Sequence, residues 1–204
     1  MQRTGRGNRK MKASCGRRLR RLGSVLLLFV FLVVPGMAPA AAWNPLPDTG
    51  QTKCYDASGN ERGCPVAGQP LYGQDGQYQG APPAYQDNGN QTVTDQNSGL
   101  MWMKSDDGTK RKWQGAVDYC NGLVFAGRTD WRLPTRFELD SIVDYGRSFP
   151  AVNPVFSCQS SFYWSASIYV DDPVYAWGIF FNDGGDHWLD KSNPYYVRCV
   201  RDGR

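Results

Sequence analysis

Two phrases in the second half of the chain constrain its fold more than anything else in it. They are Asp130-Trp131-Arg132-Leu133-Pro134-Thr135-Arg136-Phe137-Glu138-Leu139 and Tyr195-Tyr196-Val197-Arg198-Cys199-Val200-Arg201. In the first, Thr135 follows a proline and stands three residues before Glu138, the spacing of a capping box at a helix start. The second reads as a strand in which Arg198 and Arg201 stand among apolar residues and Cys199. Upstream, Trp113, Ala116, Val117 and Cys120 recur at helical spacing and form one face of an earlier helix. A bridge from Cys120 to Cys199 would tie that helix to the last strand and close a loop of 80 residues.

Whether cysteines pair depends on the compartment. Residues 1–23 carry nine Lys or Arg and no acid, and Ser24 to Val34 reads SVLLLFVFLVV. Met37-Ala38-Pro39-Ala40-Ala41-Ala42 then offers small-residue cleavage sites before Ala41 or Trp43. The expectation is a secretory signal peptide over residues 1–42. The apolar run falls short of the roughly 18 residues of a retained span, so a membrane is involved only through the export signal. With the leader set aside, 14 of the 23 basic residues remain against 19 acids, a balance of −5 where the full chain has +4. The basic character thus belongs to the leader, and nucleic acid is not an expected partner. The expected location is the bacterial periplasm or the secreted or cell-surface space, where disulfides are the default.

Cys15 leaves with the leader. Cys54 and Cys64 bracket YDASGNERG, a stretch that turns back easily, and are predicted to pair; so short a loop contributes about 2.8 kcal/mol by chain entropy. The second predicted pair is Cys120–Cys199, worth about 4.5 kcal/mol in the same account. Cys158 is left over, as a free thiol, an intermolecular bridge or the sign of a different pairing. With His187 the single histidine and no C-x-x-C pair, neither a zinc site nor a cysteine nucleophile with its base is favoured.

Residues 43–90 lack apolar periodicity and are rich in Pro, Gly, Gln and Tyr, and are expected to be a partly ordered arm holding the small disulfide loop. Folded signals fill 91–204. Thr92–Asp95 and Leu100–Met103 read as a hairpin around Asn97-Ser98-Gly99. The Trp113 helix is expected to be ended by Gly122 and Gly127. The Thr135 helix is expected to bury Leu139, Ile142 and Val143 and to stop at Gly146. Strands follow over 161–167, 175–181 and 195–200, with Asn182-Asp183-Gly184-Gly185-Asp186 as a connecting loop. The fold class is α+β: two short helices on small antiparallel sheets, loop-rich and disulfide-closed.

These phrases, with VTDQNSGLMW at 93–102, NPVF at 153–156, QSSFYWSAS at 159–167 and FNDGG at 181–185, occur in the order found in the Lcl C-terminal domain family, which the chain resembles from about Gln91 to Arg201. The resemblance implies a variant of the C-type-lectin-like fold, in which a first-helix cysteine bridges to the last strand. It also implies an exported adhesin-like or lectin-like module. Family adhesins that bind sulfated polysaccharides carry a collagen-like stalk, and this sequence has no G-x-y repeat.

Asp130, Arg132, Trp102, Trp113, Trp131, Trp164, Arg198 and Arg201 are read as structural. The site is expected around the loop instead. Asn182, Asp183 and Asp186, with Asp190 beside them, either shape a turn or supply oxygens to Ca²⁺, although no EF-hand spacing is present. Tyr175, Trp177 and Trp188 flank the loop and suit core packing or stacking on sugars. The expected function is non-catalytic recognition of a glycan or of an envelope or host protein, with no cofactor beyond that calcium alternative. Two other readings stand beside it: an enzyme on a scaffold like that of formylglycine-generating enzymes, and a structural component of an envelope assembly.

Overall fold

In the computed structural model, which describes residues 48–203 except Gln79, the arm is ordered around its cysteines; the leader expected over 1–42 lies outside the described residues. Cys54 and Cys64 are bridged, and the bridge pins a short ladder of β1 (Cys54–Tyr55) and β2 (Glu61–Arg62). Asp56 shapes the turn between them by accepting from the amides of Ser58 and Asn60. The arm also lies against the rest of the domain. Tyr145 N donates to Thr49 O at 2.7 Å, and Gln51 Nε2 donates to Tyr145 O at 3.3 Å.

The first sheet begins upstream of Gln91. Here β3 (Tyr85–Asp87) pairs with β4 (Thr92–Asp95), which pairs in turn with β5 (Leu100–Met103). The expected hairpin turn forms because Gly99 takes φ +76° and Asp95 accepts from the Asn97 amide and the Ser98 hydroxyl. Helix α1 (Trp113–Asn121) follows and ends at Gly122, the first of the two glycines expected to stop it, burying Ala116 and Cys120.

Helix α2 (Arg136–Asp140) starts on the predicted capping box: the Glu138 amide donates to Thr135 Oγ1, and the Glu138 carboxylate accepts from the Thr135 amide. It ends earlier than expected. Leu139, Ile142 and Val143 are buried as predicted, but only Leu139 is helical. Beyond Ser141 the chain leaves the helix, and Val143 forms a bridge with Val152 instead. Gly146 therefore stops no helix; it lies where Gly50 of the arm crosses, a place with no room for a Cβ.

The second sheet has the order β6 (Phe162–Ile168), β7 (Tyr175–Phe180), β8 (Gly185–Asp190), all antiparallel. The last strand of the chain, β9 (Val200–Asp202), completes the first sheet beside β5. The expected strand over Tyr195–Val200 is thus displaced. Its residues cross from one sheet to the other: Tyr195 bridges to Arg111, Tyr196 to Tyr163 and Val200 to Arg132. A segment that serves two sheets cannot keep one regular ladder.

Two cores result. Val93, Trp102, Leu139, Ile142, Tyr163, Ile179, Phe181 and Val200 fill the first. Met103, Ala116, Trp131, Trp164, Ala176, Leu189 and Val197 fill the second around the Cys120–Cys199 bridge. Trp113 is only half-buried at the edge of that core, with its indole N–H on Ser165 O. Arg198 is fully buried. Its guanidinium donates to Met103 O, Lys104 O and Ser157 O at 2.6–2.7 Å, tying β5, the 157 loop and the crossing segment together. The two disulfides fit an oxidising, extracytoplasmic environment. Among the described residues no helix is long and apolar enough to cross a membrane.

Candidate functional site

The site is one end of one face of the second sheet. Strand alternation places Tyr175, Trp177 and Ile179 on a common face of β7, and register sets Asp190, Trp188 and Asp186 of β8 opposite them. At the Ile179 end that face is covered by α2 and joins Tyr163 and Leu139 in the first core. At the Tyr175 end it is open. Trp188 is 55% exposed, as are Val170 and Val174 in the adjoining loop at 84% and 57%.

The rings on the open end hold one another. Tyr175 meets Trp188 edge to face at 5.0 Å. Tyr169 lies parallel to Trp188 at 6.1 Å and edge-on to Trp177 at 5.5 Å. Arg136, the first residue of α2, lays its guanidinium over the Trp177 ring at 3.9 Å and forms an ion pair with Asp186. The result is a fixed aromatic platform, with one of its four rings capped by a neutralised arginine.

The turn that joins β7 to β8 needs glycine at Gly184, where φ is +89° and a Cβ would meet Val143 and Tyr145. Of its polar residues, Asp183 serves the turn through its side chain, and Asn182 meets a neighbouring segment through its main chain. Asn182 O accepts from Phe149 N at 2.9 Å, and Asp183 Oδ1 accepts from Gly185 N at 3.0 Å. Asp190 Oδ1 accepts from Ser192 N, and these hydrogen bonds from Ser192 hold its carboxyl below the usual range. Among the described residues, no three Asp, Glu, His or Cys side chains gather as metal ligands.

Of the residues picked out in the sequence, the fold therefore brings Tyr175, Trp177, Trp188 and Asp186 onto one surface and leaves Asn182 and Asp183 in the turn. Two members were missed. Arg136 is legible only as a helix start. Tyr169 lies just past the predicted end of its strand, yet alternation from Tyr163 through Ser165 and Ser167 leads to it. The irregularity between Trp164 and Ile168 sets four residues of β6 against two of β7, an even excess that preserves the face.

Beside Phe137, which is 80% exposed, a groove of about 290 Å³ runs between α2 and the arm, lined by Asp48, Thr49, Asp140, Ser141, Val143 and Tyr145. The Tyr145 hydroxyl donates to Asp140 there; burial and the Asp140 charge push it up to about 12. Elsewhere the tempting polar pairs are structural. Asp130 forms a fork with Arg201 at 2.7 and 2.9 Å, and Arg132 forms another with Glu138 at 2.8 and 2.6 Å. Cys158 is a free thiol, pushed up by burial despite nearby Arg198. With Cys120 and Cys199 bridged, it has no second free cysteine among the described residues.

The family model for the Lcl C-terminal domain matches residues 91–201. No curated protein matches the chain.

Proposed function

The chain belongs to the Lcl C-terminal domain family, and we propose that its domain is an exported, non-catalytic binding module that holds carbohydrate on the open aromatic face. The observation that carries this reading is the platform of Tyr169, Tyr175, Trp177 and Trp188 at the uncovered end of β7 and β8. Ring faces fixed by their neighbours lose little freedom on meeting a flat apolar sugar face, and the polar groups around them supply orientation. The scaffold is read as a variant of the C-type-lectin-like fold, supported by two short helices, small antiparallel sheets and the Cys120–Cys199 closure. Its place is the periplasm or the cell exterior, which the two disulfides support.

The test is binding of the folded protein to an array of immobilised oligosaccharides, with and without a chelator. The reading expects a defined set of sugars to bind, unaffected by chelator, and the Trp188→Ala variant to lose them. Loss on chelation would bring back calcium at Asn182, Asp183 and Asp186. Undiminished binding by Trp188→Ala would move the site off this face.

A further inference from the structure

The charges around the platform are one-sided. Asp171 and Asp172 lie exposed in the loop that joins β6 to β7, directly beside the rings. Asp171 is close enough to the Tyr169 hydroxyl to push it up, and the amide of Val174 donates to Asp172 Oδ1 at 3.2 Å. Asp190 stands opposite Tyr175 in the ladder, and Asp186 opposite Ile179. The nearby cations are both committed. Arg136 is paired with Asp186 and capped on Trp177. Lys191 donates to Pro173 O at 2.7 Å and lies over the Trp113 ring at 4.3 Å. His187 is on the opposite face of the sheet, against Phe162 and Phe180. A ligand settling on these rings thus meets the negative faces of aromatic systems inside a rim where carboxylates outnumber cations and Asp171, Asp172 and Asp190 stand in no ion pair among the described residues.

We propose that the carbohydrate this face takes is a cationic one, an amino sugar with free, protonated amines. The inference rests on the carbohydrate reading above and narrows it. Stacking places the sugar's apolar face on Trp188 and Tyr175, and an ammonium at the ring's edge then falls between aromatic faces and the Asp171 and Asp172 carboxylates. Both environments attract a cation. The same rim repels sulfate and leaves a neutral N-acetyl sugar without its charge partner.

The experiment is a titration of the full folded protein, at mildly acidic pH where sugar amines are protonated and carboxylates stay ionised. The probes are a β-1,4-linked glucosamine oligomer, its fully N-acetylated counterpart, a sulfated oligosaccharide of equal length, and polylysine. The free-amine oligomer is expected to bind about tenfold or more tighter than the acetylated one, with affinity falling as salt rises. The double variant Asp171→Asn/Asp172→Asn keeps an acceptor oxygen at both positions, so the loop is expected to hold, as its unfolding midpoint would check. It is expected to bring the two oligomers to similar affinity. Equal binding of the two by the wild type overturns the amine inference and leaves the carbohydrate reading standing, as does a preference for the sulfated sugar or a preference that survives in the double variant. Binding of polylysine alone, or of no probe, overturns the amine inference, and the oligosaccharide array then decides the carbohydrate reading separately.

Discussion

The two ends of one sheet face make opposite use of the same residue types. At one end Tyr163 and Ile179 are fully buried under α2 and join the Leu139 core. At the other, Trp177, Trp188, Tyr175 and Tyr169 lie beyond the helix and hold one another instead. The difference comes from where α2 begins: it starts at Arg136 over Trp177, and the face beyond that residue has no helix to cover it. Aromatic side chains in a strand do not announce which role they have. The neighbouring element decides it, and here its first residue, Arg136, reaches just far enough to cap Trp177.

If the closed half of the molecule carries stability and the open half carries recognition, substitutions should separate cleanly. The largest expected effect is loss of the long closure. A Cys120→Ser/Cys199→Ser variant should lose up to about 4.5 kcal/mol of unfolding free energy in urea, because its loop is no longer restrained in the unfolded chain. Close behind is Trp164→Ala. That indole is fully buried and donates to Arg111 O at 2.8 Å, so its removal should cost about 4 kcal/mol through the cavity it leaves. A loss of under about 1 kcal/mol would mean that the second core is not packed as described.

Acid is a gentler probe of the same half. Burial raises the Glu138 carboxyl, but hydrogen bonds from Arg132 and Thr135 outweigh it and hold the group below its ordinary 4.5. A depressed folded-state value stabilises above the unfolded value and is lost as pH falls through the folded one. Stability should therefore decline below about pH 4.5, and Glu138→Gln should flatten that decline in urea midpoints measured across pH. An unchanged acid profile in the variant would remove Glu138 from the account.

Much of the closed half was legible in the sequence, because its signals are local. The Thr135–Glu138 capping box, the hairpin around Gly99 and the helical spacing that ends in Cys120 each need only a few neighbouring residues to be read. The end of α2 was not, since a bridge from Val143 to Val152 competes with further helical turns and depends on a distant segment. Arg198 could be read as buried but not as a tie, because its three acceptors come from residues 103, 104 and 157. The open face was half-legible. Tyr175, Trp177 and Trp188 stood out as aromatics beside a loop, while Tyr169 required the strand to be carried past Ser167, and Arg136 required knowing where α2 docks. Asn182 and Asp183 were legible only as two alternatives, because glycine-flanked amides and carboxylates look alike whether they shape a turn or hold a ligand.

The smallest structural effect should accompany the largest functional one, at Trp188. The most direct measurement pairs oligosaccharide-array binding with a urea unfolding curve for the wild type and Trp188→Ala. The account predicts an unfolding free energy within about 1 kcal/mol of the wild type, together with loss of at least about tenfold in binding to every sugar the wild type holds. A stable Trp188→Ala protein that binds those sugars as well as the wild type would contradict it.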